Sequence, residues 1–415
     1  MDAAPGIGEL GGREEAVASL IDRVRRDVPF YREHLADLRS TALADVPTFG
    51  KADLAGYGRF PLSDGTLREV YRVAATSGTT GQRLFVTYSR RDWECIGAQL
   101  GQVALRAGFG SGDTLLNTHG FGLWIGGPTL DALADAAGAA LIPAGPTGAK
   151  TLFEWLPDLP ATGISATPSY MRYLVEAAAE AKVDLSSWPL RVGFIGGEGA
   201  SIALRRRVCA ALPEGFLWQE LWGSTEVGGP VLAHAPPGDP FAGQVNVDTR
   251  TFIVEILRTD ADEPVAPGEV GEITVTTLAR EQSPLLRYRT RDLAAEIVDG
   301  PRDASGLPRM STSVGRIDDA LKVRGTLVYP LDVEEALVAC LPHGAEWRIE
   351  ITRAPGALDV LRIRAEHSDA RIATQLAKAV QQRIHLRPEV EVMPPGTLER
   401  FQGKARRVVD QRPSD

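Results

Sequence analysis

The sequence predicts an α/β protein: a large N-terminal domain of helix-covered sheets with a small β-barrel-like subregion, followed by a small α+β C-terminal domain. Three observations carry this. Short apolar strands alternate with helical segments between Leu115 and Ile195, the pattern of parallel sheets covered by helices. After Gly243 the pattern becomes short alternating strands cut by Pro and Gly turns. Beyond Arg316 it changes again, to a strand and helix pattern long enough for a separate domain of about 100 residues. The expected domains are 1–314 and 320–415, joined by a hinge at 315–319.

The elements follow in order. Residues 16–35 carry helical spacing, with Val17, Leu20, Ile21 and Val24 on one side and Arg23, Arg25 and Arg26 on the other; Pro29 ends or kinks the helix. Residues 70–74 and 84–88 read as strands. Ser89 with Asp92 starts a helix whose apolar face is Trp93, Ile96, Leu100 and Val103. Strands are expected at 115–116, 139–142, 163–166 and 192–195, and Pro168 opens a helix through Met171, Leu174 and Val175. Val245, Val247, Phe252, Val254, Ile256, Ile273, Val275 and Leu286 fall in the barrel-like subregion. The last domain reads as helix 333–340, strands 347–352 and 360–365, helix 371–384 and strand 390–392.

Bulk properties exclude several classes. With 415 residues, 44% hydrophobic and 24% charged, the chain is globular and has two or three domains. A net charge of −9 argues against a surface that coats nucleic acid. The three widely spaced cysteines, Cys95, Cys209 and Cys340, suggest reduced, buried thiols. Residues 1–13 are Gly-rich and acidic, unlike a secretory leader, so a cytoplasmic location is expected. The uncharged stretch 114–130 contains Asn117, His119, four glycines and a proline, which suits a loop-rich pocket wall and not a membrane span. Gly6 to Gly11 spells a dinucleotide fingerprint with no preceding strand, so a plain terminus is expected there. The six histidines never pair with Cys at metal-ligand spacing, and no zinc is expected.

Residues 75–82, Ala75-Thr76-Ser77-Gly78-Thr79-Thr80-Gly81-Gln82, pack four hydroxyls and two glycines between two strands. Backbone N–H groups at glycines and hydroxyl donors can wrap phosphates, yet a strand-to-strand loop without Gly-Lys-Ser is no Walker P-loop. Further on come Glu-Leu-Trp-Gly-Ser-Thr-Glu at 220–226, Leu-Arg-Tyr-Arg-Thr-Arg-Asp-Leu at 286–293, Gly-Arg-Ile-Asp-Asp-Ala-Leu-Lys-Val-Arg-Gly at 315–325 and Gln-Gly-Lys-Ala-Arg-Arg at 402–407. Taken in order, these resemble the adenylate-forming superfamily of acyl-CoA synthetases, most closely its phenylacetate-CoA ligase branch. The resemblance runs from Val28-Pro29-Phe30-Tyr31-Arg32 to Gly403-Lys404, nearly the whole chain.

That resemblance implies a chemistry. A carboxylate must attack the α-phosphorus of ATP while pyrophosphate leaves, so donors, a divalent ion and a cation must offset the repulsion between two anions. It assigns Ser77, Gly78, Thr79, Thr80 and Gly81 to the β- and γ-phosphates and Thr80 and Glu226 to Mg2+. Glu198, Trp222, Gly223, Ser224 and Thr225 fall to the adenylate, Asp292 to the ribose hydroxyls and Arg316 to ribose or phosphate. Lys404 becomes the catalytic cation, acting with Glu226 and Thr80. Asp318 becomes the hinge about which a mobile small domain turns, replacing Lys404 by Lys322, Arg324 and Gly325 along the channel for the acceptor thiol. His119, Phe121, Trp124, Ile195, Gly196 and Gly197 make a flat apolar slot, which favours an aryl or arylacetic acid; Asn117 and His119 add polar groups for ring substituents or for the carboxylate.

Three positions depart from the pattern: Gln82 replaces a usual lysine, Trp222 a usual tyrosine, and Phe401-Gln402 the usual Ser-rich residues. The expected acceptor is CoA, with a carrier-protein phosphopantetheine or an amine as alternatives and a catalytically silent ATP-binding relative as the rival from another class. Zinc-binding occurs among phenylacetate-ligase-like proteins, but the cysteines for it are missing here. No membrane or nucleic-acid partner is expected; the resemblance leaves a homodimer open, because the family often dimerises, and no stripe in this chain proves it.

Overall fold

The computed structural model describes residues 10–64, 66–76, 83–236, 238–297, 306–312, 314–354, 358–400 and 407–412. Helix α1 (Leu10–Asp27) gives way at Val28 to α2 (Pro29–His34), because proline tolerates the first helical turn but not the middle of a helix. Tyr31, fully buried, donates its hydroxyl to the Pro284 carbonyl at 2.9 Å and accepts from the Leu286 N–H at 3.1 Å. The N-terminal helices are thereby fixed to the segment that leads into the later motif.

An antiparallel pair, β1 (Arg72–Ala75) and β2 (Phe85–Tyr88), stands on either side of residues 77–82 in the chain and begins slightly later than expected. Helix α3 (Arg90–Arg106) follows, then β3 (Thr114–Asn117), α4 (Gly126–Ala137), β4 (Ala140–Ile142), α5 (Ala149–Trp155), β5 (Gly163–Ala166), α6 (Pro168–Ala181), β6 (Val192–Ile195), α7 (Ile202–Cys209), β7 (Leu217–Ser224) and β8 (Gly229–His234). The uncharged stretch near residue 120 is thus strand, short loop and the start of α4, with Pro128 in its first turn. Strands β9 (Gln244–Val247), β10 (Phe252–Leu257), β11 (Val270–Thr277), β12 (Tyr288–Ile297), β13 (Arg309–Ser311) and β14 (Gly315–Arg316) complete this part.

All of these strands from β3 onward belong to one twelve-stranded sheet, ordered β10-β11-β12-β13-β9-β8-β7-β6-β5-β3-β4, with β14 paired to β12. The short strands after Gly243 therefore form as expected and run on from the parallel strands along one hydrogen-bonded path. Strands β4, β3, β5, β6 and β7 are parallel, and β5 and β6 are buried on both faces. Direction reverses between β7 and β8. The carboxyl ends of parallel strands form the crevice where ligands bind in such sheets.

In the last part, a hairpin of β15 (Leu321–Val323) and β16 (Thr326–Val328) turns at Arg324 and Gly325, both left-handed at φ 50° and 83°. Then come α8 (Pro330–Val338), β17 (Trp347–Thr352), β18 (Val360–Glu366), α9 (Ile372–Ile384), β19 (Glu389–Met393) and β20 (Val408–Asp410), with a four-stranded sheet ordered β19-β18-β17-β20. Its own core includes Val333, Leu337, Trp347, Ile349, Ile363, Leu376 and Val380. Val338 of α8 instead joins the core under α6 and α7. The three cysteines are free but only partly buried, a correction to the expectation of buried thiols. No helix among the described residues is long and apolar enough to cross a membrane.

Asp92 ties the sheet to α3. With Ser89 it forms a capping box, and its carboxylate also accepts from the N–H groups of Glu281 at 2.7 Å and Gln282 at 3.0 Å, on the way to β12. Asp92→Ala removes the acceptor of three N–H groups, one buried and two partly buried, so urea denaturation of this variant is expected to show a loss of about 1–3 kcal/mol.

Candidate active site

The residues expected to contact the acid gather at the carboxyl ends of β3, β5 and β6. The Thr118 N–H donates to the Ser165 carbonyl at 3.0 Å and the Gly196 N–H to the Ala166 carbonyl at 3.2 Å, closing the strand ends together. At Gly196 any side-chain carbon would lie 2.5 Å from the Leu221 carbonyl oxygen, so only glycine lets the end of β6 approach β7 this closely. Gly197 has φ 89°, and the space where its Cβ would stand lies 3.7 Å from Cζ2 of Trp124 and 3.5 Å from Cγ2 of Thr167. A single carbon on Gly197 would already be in van der Waals contact with both, so Trp124 packs closely over Gly197 at the end of β6. Trp124 also walls a cavity of about 240 Å3 with Arg72, Trp93, Ile125 and Pro128. Ile195 is buried in the core beneath, and Phe121 is 42% exposed.

Two polar candidates separate. Asn117 is consumed by structure: its amide donates to the Gly127 carbonyl and to Asp131, and its oxygen accepts from Ser165 Oγ and the His119 N–H. The expectation that Asn117 recognises substrate is corrected, because no donor or acceptor of its amide remains. His119 is buried, and its ring nitrogens have no hydrogen-bond partner among the described residues. Burial depresses its pKa to about 4, so the imidazole is neutral and can either donate or accept. Glu198, next to Gly197, accepts from the Ser169 N–H at 2.7 Å, in the first turn of α6.

Across the crevice stands the β7–β8 turn. Gly223 is forced: a Cβ there would sit 2.0 Å from the Gly229 carbonyl oxygen, where the pairing shifts register between Trp222 and Ser224. Trp222 is half-buried against the large core. The Ser224 hydroxyl, inside the 220–226 motif, is buried and has no hydrogen-bond partner among the described residues. Tyr88 donates to the Thr225 carbonyl, and Arg280 donates to the Val227 carbonyl while its guanidinium lies 4.9 Å over the Tyr88 ring. Glu226 accepts from the Tyr288 hydroxyl at 3.2 Å. Tyr88, Arg280 and Tyr288 hold this turn and were not anticipated. Tyr288 lay inside a quoted motif, whereas nothing in the local pattern marks Arg280.

Asp292 on β12 stands opposite Arg316 on β14, which donates from Nη1 at 2.7 Å and from Nη2 to the Thr290 carbonyl at 3.3 Å. Burial raises the Asp292 carboxyl to about 6 despite Arg316, with Glu226 and Asp319 adding repulsion. Asp318 pairs with Arg291 at 2.9 Å and, more distantly, with Arg316 at 3.9 Å. The site thus offers two carboxylates, Glu226 and Asp292, beside one guanidinium. Among the described residues no three His, Cys, Asp or Glu converge on one point, so a metal here would rest on Glu226 and on oxygens of a bound nucleotide.

Lys322, Arg324 and Gly325 are exposed on the β15–β16 hairpin, and the Arg324 Nε donates to the Asp359 carbonyl within the small domain. Ser77, Gly78, Thr79, Thr80, Gly81 and Gln82, and likewise Phe401, Gln402 and Lys404, lie outside the described residues. At the base of the first segment Lys51 donates to Thr76 Oγ1 at 3.2 Å, a cation that the motif comparison did not single out.

Glycines packed tightly at the carboxyl end of β6, the 220–226 turn, and a buried acid paired with an arginine on β14 together define a class. The chain belongs to the AMP-binding enzyme family, the adenylate-forming acid–thiol ligases: that family matches residues 41–278, and the AMP-binding enzyme C-terminal domain matches residues 325–412. Among curated proteins it is similar to the phenylacetate-coenzyme A ligase of Escherichia coli, 31% identical over 93% of this chain and 91% of that one. It is also similar to that of Thermus thermophilus, 29% identical over 96% of each. Among solved structures, 2-hydroxyisobutyryl-CoA ligase in its postadenylation state superposes with a TM-score of 0.84 at 24% identity, covering 96% of this chain and 89% of that one. The same enzyme in its thioesterification state gives 0.66 at 25% identity, covering 98% and 91%.

Because the folded-state pKa of Asp292 lies above its ordinary value of 3.8, the neutral carboxyl favours folding at low pH, and that contribution is lost as pH rises from about 4 through about 6. The difference in unfolding free energy between wild type and Asp292→Asn is expected to shift against wild type across that window and to be flat above pH 7. Parallel denaturation curves from pH 4 to 8 check this.

Proposed function

We propose that the protein joins an aromatic carboxylic acid, aryl or arylacetic, to CoA in two steps through an acyl-AMP. In the first step a carboxylate oxygen attacks the α-phosphorus of ATP and pyrophosphate leaves. In the second the sulfur of CoA attacks the acyl carbon and AMP leaves. The observation that carries the proposal is the buried Asp292 paired with Arg316 and close enough to Glu226 for the two carboxylates to repel, in a chain whose 220–226, 286–293 and 315–325 motifs supply all three residues.

Each component has a physical task. Ionised Asp292 offers acceptor sites for two ribose hydroxyls, and Arg316 keeps it charged near neutral pH. Trp222 packs its face on adenine, with Glu198, Gly223, Ser224 and Thr225 around it; the unpartnered Ser224 hydroxyl is available to the nucleotide. Ser77, Gly78, Thr79, Thr80 and Gly81 donate to the departing phosphates. Mg2+, held by Glu226 and Thr80, would screen phosphate charge. Lys404 brings a compact cation to the attacking carboxylate and the α-phosphate.

The acceptor step uses the second domain, 320–415, turning about 315–319 at Asp318. The TM-scores of 0.84 and 0.66 against two states of one ligase, at near-complete coverage of both, support this reading. On this reading the present arrangement precedes thiol transfer, and the turn would bring Lys322, Arg324 and Gly325 to the thiol channel.

Exchange of labelled pyrophosphate into ATP is expected to require an added aromatic acid. It should fall about 10²–10³-fold in Lys404→Ala, as when one preplaced charge stabiliser is lost. Exchange without acid, or ADP as product, would rule the proposal out. CoA and a phosphopantetheinylated carrier protein, offered side by side, identify the acceptor.

The neutral, unpartnered His119 makes a hydroxyl- or amino-substituted acid the preferred substrate. Across a panel of substituted benzoates and arylacetates, with a short 2-hydroxy acid as control, His119→Leu is expected to lower kcat/KM for the best polar-substituted acid by about tenfold or more relative to its unsubstituted analogue.

A further inference from the structure

Two buried glutamates pin the two ends of the segment 401–406. Before it, both terminal nitrogens of Arg400 donate to Glu366, at 3.0 and 2.8 Å. After it, Arg407 faces Glu346 Oε2 at 3.0 Å, donates to the Trp347 carbonyl at 3.2 Å and stacks 4.3 Å over the Trp347 ring. The other oxygen of Glu346 faces Arg172 of α6 at 3.0 Å. Glu346 is 2% exposed, so this carboxylate is almost dry, and it touches a cation from each domain. The flanks of the bridge are polar as well. The backbone N–H groups of Ser201 and Ala203, at the start of α7, donate to Glu334 and Glu335 of α8 at 3.1 and 2.9 Å. Arg207 of α7 reaches the carbonyls of Val338, Leu341 and Pro342.

We propose that Arg172, Glu346 and Arg407 form a positioning bridge that seats the small domain for acyl-AMP formation and must open before thiol transfer. The proposal rests on the two-step reading above and assigns it a latch. The small domain does not need Arg172 to neutralise Glu346, because Arg407 already does. Nor does Arg172 need Glu346, because Glu176 lies 3.5 Å away, one turn along α6. When the domains part, each charge keeps a partner on its own side, so the bridge breaks without stranding a buried ion. While intact, it joins α6 of the large domain directly to the residue that closes the segment carrying Lys404. Arg172 touches no reacting atom; it acts through Glu346 and Arg407.

The test measures the two steps separately in Arg172→Met, using phenylacetate for pyrophosphate exchange and synthetic phenylacetyl-AMP with CoA for the second step; the preferred acid and its adenylate replace them if the panel selects another. Acid-dependent exchange is expected to fall about tenfold, within the range of ordinary coupling between conformational states, with the loss in kcat and not in KM. Thioester formation from the adenylate should be unchanged or faster, and Arg172→Lys should recover part of the exchange. A purely structural role would lower both steps together; equal losses, or no loss in either, overturn the proposal. Should Arg172→Met melt at lower temperature, Arg207→Met, which breaks the neighbouring contact with α8, must give the same asymmetry. Lys404→Ala run in parallel keeps the two ideas apart. Full exchange in Lys404→Ala sinks the assignment of that lysine while leaving the bridge to be judged on Arg172, and selective loss in Lys404→Ala with symmetric losses in Arg172→Met sinks the bridge alone.

Discussion

The Arg316–Asp292 ion pair joins three parts of this protein at one point. Asp292 lies on β12 of the large sheet, Arg316 on the two-residue strand β14 that pairs with it, and the link to the small domain begins one residue later. A carboxylate this deeply buried is costly unless paired, and burial has already moved its pKa to about 6. Arg316 keeps the acid ionised near neutrality and at the same time anchors the end of the sheet from which the small domain departs. The edge of the large sheet and the start of the link therefore share one interaction, and anything that disturbs it reaches both.

Glycine geometry supplies the other constraint. Gly196 and Gly223 each bring backbone against backbone where no side chain fits, at 2.5 and 2.0 Å for a hypothetical Cβ. The first draws the end of β6 onto β7; the second shapes the turn that carries Thr225 and Glu226. Polar groups are then fixed from behind by residues outside the crevice: Tyr88 and Arg280 on the turn, Tyr288 on Glu226, Ser169 on Glu198. Such prior fixing lets a site oppose developing charge without reorganising during the reaction.

The fold was largely legible in the sequence because its signals are local. Ser89 and Asp92 form the expected capping box, Pro168 opens α6, and the alternation at 347–352 is β17 to the residue. The motifs pointed to Asp292 and Arg316 separately, and the structure brings these two together as an ion pair. The candidate site was less legible where a role depends on distant partners. Asn117 looked available because its sequence context is uncharged, yet Gly127, Asp131, Ser165 and His119 satisfy it from three different elements. Arg280 holds a turn 53 residues away in the chain, which no local periodicity can express. The continuity of the β-rich segment with the parallel sheet is likewise a matter of long-range pairing, through β8 and β9.

The surface between the domains has the composition expected of one built to separate. Val338 and Leu331 are its apolar contributions, the latter lying against Gly199. Most of the rest is charge meeting backbone: glutamates of α8 on the first N–H groups of α7, and Arg207 on the carbonyls that end α8. These groups sit at helix ends, where backbone donors and acceptors have no partner within the helix and water can replace the side chain. A wholly apolar face would lose its full burial energy on opening. A contact made of helix-end hydrogen bonds and exchangeable ion pairs loses less, because solvent and neighbouring charges take over. The interface therefore defines an arrangement closely while leaving it cheap to leave, which is what an enzyme needs if one small domain is to serve two successive reactions on the same acyl group.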